Sequence, residues 1–219
     1  MARILVFGAG GRAGRAVTTE ALHRGHIVTA AVRHPASHPD LATSGSQLVE
    51  ADATDPDAVT TVAPQHDVAV NATRPSGNNA LDHFRSMNHT LLTGLETAAV
   101  PRIVLIGGAG TLRTADGTQF VDTPEFPESA APRGLSQRDA LRALHTSPTS
   151  VDWHYLVPAP RFIPNGTRTG PYRITSSPNL ADLLRTDISY ADFAVGVVDE
   201  IETPRYVRTP VTLTWDANG

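Results

Sequence analysis

The sequence predicts an α/β fold built on a doubly wound, mostly parallel sheet. Three observations carry this. Short unbroken apolar runs recur, Ile4 to Phe7 first among them, and a strand buried on both faces has that composition. Stretches with helical spacing lie between these runs, as in Ala13, Val17, Ala21 and Leu22. The first strand also ends in a glycine turn that opens directly into a helix, Gly8-Ala9-Gly10-Gly11-Arg12-Ala13-Gly14. Strand, glycine turn and helix together make a Rossmann-like dinucleotide site. The carboxyl-terminal segments are expected to form a small lobe on the substrate side of the sheet.

The glycine turn sets the frame for the rest. Gly8, Gly11 and Gly14 follow G-x-x-G-x-x-G; Gly10 stands between them, and Ala13 occupies the place where G-x-G-x-x-G would end. Gly8 permits a tight turn, Gly11 lets the backbone approach a pyrophosphate, and Gly14 lets the helix pack closely on the strand. The helix over Ala13 to Arg24 then turns free N–H groups toward the phosphates. Arg12 is a further phosphate contact. The competing reading is a flexible turn with incidental glycines.

His26 to Val32 is the second strand, closed by Arg33. An NAD site carries Asp or Glu here, whereas an arginine pairs with a 2′-phosphate, so NADP is expected, with NAD possible. An ordinary solvated arginine is the alternative. Gln47 to Glu50 is the third strand, and Asp52 and Ala53 follow at its carboxyl end, on the adenine side. Asp52 either accepts from the adenine amino group or holds a turn. Asp55 caps a short helix that starts at Pro56 and runs to about Ala63.

Asp67 to Ala72 is the fourth strand. Asn71, Ala72 and Thr73 begin a small polar segment, ending at Ser76, that should pass the cofactor ribose. Asn78 caps a long helix through Ala99, with Leu81, Phe84, Leu91, Leu92 and Leu95 as its apolar stripe. Asn88 reads as a polar residue on that helix, or as one near the nicotinamide. Arg102 to Gly107 is the fifth strand, which brings Gly107 and Gly108 to the cofactor. A long loop, Thr111 to Pro127, follows. Glu128 to His145 is helical, with Leu135, Leu141 and Leu144 inward and Pro132 and Gly134 disturbing its start. Val151 to Val157 is the sixth strand; Pro158 ends it beside the nicotinamide and begins a second long loop. Ser189 and Asp192 form a capping box for a helix to Glu202 that buries Phe193, Val197, Val198 and Ile201. Tyr206 to Trp215 is the last strand.

Composition bounds the function. A chain of 219 residues with net charge −4 and no basic block fits one domain, residues 1–219, with no nucleic-acid partner. No apolar stretch reaches the length of a membrane span, and the first run is too short for a signal peptide, so a cytoplasmic protein without a membrane partner is expected. There is no cysteine, which excludes disulfides and thiol catalysis. All 18 basic residues are arginine. Without lysine, no Tyr-x-x-x-Lys pair exists to lower a tyrosine pKa for carbonyl reduction. No metal site is expected: Pro35 and Pro39 break any helix aligning His34 with His38, and His83 and His89 face different directions. Ser136, His145 and His154 lack a nucleophile elbow. His154 and Tyr155 lie in a strand, where both read as structural. Asp122 is a loop carboxylate, either solvated or a proton donor.

The chain resembles the atypical short-chain dehydrogenases/reductases of the NADH-flavin reductase group, within the NAD(P)H-binding, NmrA-like superfamily. The resemblance rests on Phe7 to Gly14, Ile106 to Gly110, Asp122 to Pro127, Asp152 to Ala159, Gly166 to Arg173 and Ile188 to Ala194. It covers nearly the whole length. Gly10 stands where the group commonly has threonine, and Thr111 near where it often has serine. The resemblance implies an NAD(P)H-dependent oxidoreductase that reduces flavin, or a similar planar acceptor, as substrate rather than prosthetic group. A non-catalytic NADP-binding sensor is the alternative. The partner is then a small-molecule acceptor. Its pocket should be walled by the two long loops, with Phe126 and Phe162 as apolar covers unless both merely pin their loops to the core. No catalytic residue is assigned.

Overall fold

The computed structural model describes residues 1–74, 80–164, 166–176 and 180–215. Its first half alternates strand and helix: β1 (Arg3–Phe7), α1 (Arg12–His23), β2 (Ile27–Val32), α2 (Pro39–Thr43), β3 (Gln47–Glu50), α3 (Pro56–Val62), β4 (Val68–Asn71), α4 (Ala80–Thr97) and β5 (Arg102–Ile106). The second half holds α5 (Ala131–Thr146), β6 (Asp152–Pro158), β7 (Arg161–Ile163), β8 (Tyr172–Thr175), α6 (Leu180–Leu183), β9 (Asp187–Ser189), α7 (Tyr190–Glu202) and β10 (Pro210–Trp215).

The strands form one large sheet in the order β3-β2-β1-β4-β5-β6-β10-β8, with β7 and β9 paired separately. Every neighbouring pair is parallel except β10 with β8. One row runs across it through Ala31, Phe7, Asn71, Leu105, Tyr155 and Pro210. Alternation along each strand divides the apolar runs between two cores. Leu5, Phe7, Leu105, Trp153 and Tyr155 face α3, α4 and α5. Ile4, Val6, Val104, Ile106 and Leu156 face α1 and α7, meeting Val17, Phe193 and Val197. Helices on both faces leave the inner strands no polar side, which is why their sequences read as continuous hydrophobic runs.

Two caps form as the sequence indicates. Asp55 accepts from the Asp57 N–H at 2.9 Å, and Ser189 Oγ accepts from the Asp192 N–H at 2.9 Å. Other boundaries shift. A 3₁₀ turn, Glu128–Ala130, precedes α5, and Pro132 sits in the first turn of the helix, where a missing N–H costs nothing. Leu135 is only half-buried, while Ser136 and Gln137 are buried. The last strand starts at Pro210, because Arg208 takes a φ of +53° that ends extended backbone. The second long loop contains β7, β8, α6 and β9, the small carboxyl-terminal lobe. The expectations for Pro75, Ser76 and Asn78, and for the side chains of Leu81 and His83, lie outside the described residues. Among the described residues no helix is long and apolar enough to cross a membrane.

Candidate dinucleotide crevice

The strand order reverses at β1 and β4. From β1 the chain moves outward to β2 and β3, and from β4 in the opposite direction to β5 and β6. A crevice opens at the carboxyl ends of such a pair, and the glycine turn lies in it. Gly8 has φ +74°, and a Cβ there would come within 2.8 Å of the Thr73 nitrogen. A Cβ on Gly14 would fall on the Gly8 carbonyl oxygen, so α1 packs against the turn without room for a side chain. Gly11 differs: it is exposed, and a Cβ there would meet only the Gly8 oxygen, at 3.3 Å. Gly11 is also the N-cap of α1, with no side-chain cap bond and no acidic residue in the first turn. Open space thus stands over unclaimed helical N–H donors, a cradle that fits a pyrophosphate.

Around this cradle the predicted residues take different parts. Arg12 and Arg33 are exposed, and neither has a hydrogen bond or ion pair among the described residues. Gly10 is bare for a local reason, since a Cβ there would lie 2.5 Å from the His38 ring. Arg15 holds that ring, approaching His38 Nδ1 at 3.1 Å while donating to the Gly10 carbonyl at 3.0 Å and pairing with Asp40. Ala13 is half-buried at the start of α1. The sequence reading missed Arg15 and His38 here, because their contact joins α1 to the segment after β2.

Asp52 Oδ1 accepts from the Thr54 N–H at 2.9 Å and its hydroxyl at 2.8 Å, the turn-holding role. Ala53 is buried in the core beside it. Asn71 is also buried: its Oδ1 takes the Thr73 N–H at 3.1 Å and hydroxyl at 2.6 Å, and its Nδ2 donates to Asn88 Oδ1 at 2.9 Å. The side chain of Asn71 therefore fixes the turn, and Ala72 and Thr73 are the half-exposed residues left at this rim. Asn88 accepts from Asn71 through Oδ1, and its Nδ2 is buried without a hydrogen-bond partner among the described residues. Past β5, Gly107 lies over the Tyr155 ring and Gly108 against the Gln137 amide, positions a Cβ would fill. Burial pushes the Tyr155 phenol well above its ordinary pKa, so it stays neutral beside Thr111 and Gly108. Pro158 ends β6, buried and in register with Leu213.

Several expectations change. Phe126 packs edge-on to Phe120 at 5.0 Å and against Gly134, in the core of the α5 face. Phe162 stacks on Tyr190 at 3.7 Å and meets Phe193 at 5.1 Å, on the opposite face. The two phenylalanines therefore pin separate loops to separate cores, and they do not face one another across a pocket. Asp122 is ion-paired with Arg138 at 2.7 Å. Ser136 is on α5, whereas His154 faces α7 and binds Glu200 at 2.8 Å, so the sheet separates them. No group of three or more metal-ligating side chains occurs among the described residues.

Residues 8–204 match the model of the NAD(P)H-binding family. This chain belongs to the NAD(P)H-binding family. The matched span runs from the first glycine of the turn, just after β1, to just past α7. Among curated relatives, the uncharacterized protein YwnB of Bacillus subtilis is 34% identical over 98% of this chain and 99% of its own length. Among solved structures, a candidate NADH-flavin reductase from Streptococcus pneumoniae is 29% identical, covering 99% of this chain and 100% of its own, with a TM-score of 0.82. A candidate epimerase from Bacteroides thetaiotaomicron is 31% identical, covering 98% of this chain and 97% of its own, with a TM-score of 0.88. The family match supports a nicotinamide cofactor.

Proposed function

We propose that this NAD(P)H-binding protein is an NADPH-dependent oxidoreductase that reduces flavin, or a similar planar acceptor, as its substrate. The observation that carries the reading is the arrangement of free positive groups. The start of α1 has no side-chain cap, Arg12 is its first residue, and Arg33 follows β2; both guanidiniums are exposed and without partners among the described residues. α1 suits the pyrophosphate, and Arg33, at the end of β2, suits a 2′-phosphate.

The acceptor follows from what the crevice does not offer. The chain has no lysine to lower the pKa of a tyrosine, burial holds the Tyr155 phenol well above its ordinary pKa, Asp122 is ion-paired with Arg138, and Asp52 is held by Thr54, so no tyrosine–lysine acid of the usual kind is assembled. A carbonyl acceptor needs an acid at its developing alkoxide. A flavin spreads the charge over its rings and takes its proton from solvent. The bound nicotinamide would supply the hydride. The residues of this chain need only align two flat rings and exclude water, and proximity carries the acceleration. Gly107, Gly108 and Pro158 are the floor on which the nicotinamide would lie. The likeness to the Streptococcus pneumoniae protein, by its name an NADH-flavin reductase, supports this reading.

The test is anaerobic bleaching of FMN or riboflavin by NADPH carrying deuterium at C4. A primary isotope effect on enzyme-dependent bleaching is expected. Tight NADPH binding without bleaching of any flavin would overturn the reductase reading and leave an NADP-binding sensor.

A further inference from the structure

We infer that Tyr190 is the aromatic shelf on which the planar acceptor stacks; the inference rests on the flavin-reductase reading above. Topology supplies the first part of the case. α1 and α7 pack side by side on one face of the sheet. Both lead into strands that run parallel with the rest, β2 and β10, so both helices start at the carboxyl ends of the strands. Gly11, at the start of α1, marks the pyrophosphate, and Tyr190 is the first residue of α7. Adjacent helix axes lie roughly 8–10 Å apart. With the adenosine half of the cofactor directed toward Arg33 and β2, its nicotinamide half must extend the other way, over β4, β5 and β6. That direction leads to the start of α7.

The second part is how Tyr190 is held. Its ring stacks on Phe162 at 3.7 Å with 26° between the planes, and Phe162 rests in turn on Phe193. Phe162 itself lies in β7, just beyond Pro158 at the end of β6, and is in register with Ile188 of β9. The backbone beneath is equally fixed. Ser189 is fully buried and caps α7, and Asp192 gathers the Thr169 and Gly170 N–H groups, the Thr169 and Ser189 hydroxyls and the Trp215 indole. Yet Tyr190 remains half-buried, and no hydrogen bond engages its hydroxyl among the described residues. A ring locked on one side, with an uncommitted hydroxyl, at the nicotinamide end of the crevice, is preorganised for a flat heterocycle. The outer face would take the flavin rings, and the hydroxyl would donate to a ring carbonyl or nitrogen.

The experiment measures binding as well as turnover. Riboflavin is titrated into the full chain saturated with NADP⁺, and the loss of flavin fluorescence is followed. Wild-type protein should bind and quench, since a stacked phenol quenches excited flavin by electron transfer. Tyr190→Leu should weaken riboflavin binding about tenfold, raise KM for flavin by a similar factor and leave NADPH affinity unchanged. Tyr190→Phe keeps the ring, so it should keep most of the affinity but lose most of the quenching. If the leucine variant loses its fold, shown by lost NADPH binding, the phenylalanine variant decides. Unchanged quenching in Tyr190→Phe, or unchanged riboflavin affinity in a folded Tyr190→Leu, would overturn the assignment while leaving the reductase reading intact. A wild-type protein that binds NADPH but neither binds nor reduces any flavin would overturn both.

Discussion

Gly11 and Gly14 lie three residues apart in one turn and answer to different constraints. A side chain on Gly14 runs into the Gly8 carbonyl, which is backbone and cannot swing aside. A side chain on Gly11 meets mostly open space. Gly14→Val should therefore lower stability by at least about 1–3 kcal/mol through overpacking. Gly11→Val should melt near the wild-type temperature but bind neither NADPH nor NADH, because the new methyl groups occupy the pyrophosphate cradle. Thermal unfolding with nucleotide titration separates the two outcomes. Arg33 gives a second contrast. Arg33→Ala should weaken NADPH binding roughly 10- to 100-fold, the worth of a charge-assisted bond, and leave NADH nearly unaffected; equal losses would mean that Arg33 does not touch the 2′-phosphate. The tight packing at Gly8 and Gly14 was legible in the sequence because it is local to the turn. Asp52 and Asn71 were legible only in outline. Each is followed two residues later by a threonine that claims it, Thr54 and Thr73, a short-range pattern that marks a turn-holding side chain. The ring partners of Phe126 and Phe162 were not legible as contacts: Phe162 meets Tyr190 and Phe193 across stretches that fold back, and no spacing rule links them.

At the scale of elements, the start of α7 shows how the small lobe is held. Burial alone would push the Asp192 carboxyl up, but the Gly170 N–H, the Trp215 indole and the Ser189 and Thr169 groups outweigh it and hold it below the usual carboxylate range. Glu200, further along the same helix, is likewise held low: burial opposes, while His154 and the Tyr206 and Arg205 N–H groups prevail. A carboxylate depressed in the folded state contributes stability that is fully present above its unfolded pKa, about 3.9 for Asp and 4.3 for Glu. That stability is lost as pH falls through the folded value. The protein should thus lose stability steeply below about pH 4. Asp192→Ala should cost about 2–4 kcal/mol at neutral pH, and its unfolding free energy should fall less steeply in acid than that of the wild type. Denaturant titrations across pH measure both. The long elements were legible, since β1, β5 and β6 are apolar runs bounded by glycine, proline or polar turns. The pieces of the lobe were not. β7, β9 and α6 are three or four residues long, too short for any periodicity to register.

Over the whole molecule, the crevice is assembled from parts far apart in sequence: the turn after β1, the end of β2 and the rim after β4. A ligand bound there favours the folded state alone, so NADPH at about 100 times its Kd should add about 2.7 kcal/mol of stability. A thermal-shift titration should show Tm rising with the logarithm of NADPH concentration, and Gly11→Val should abolish the rise. Sheet order has a different kind of consequence. β10 is the last strand in sequence, yet it lies inside the sheet, between β6 and β8. A ribosome delivers the chain from its amino end, so β1 to β6 can pair while synthesis continues. β8 emerges before the strand it must pair with, and the outer edge of β6 stays open until Pro210–Trp215 arrives. During that interval the nascent protein carries a bare parallel edge, a template for pairing with another chain. A released chain truncated just before Pro210 should therefore bind chaperones and aggregate, whereas a chain that includes Pro210–Trp215 should not.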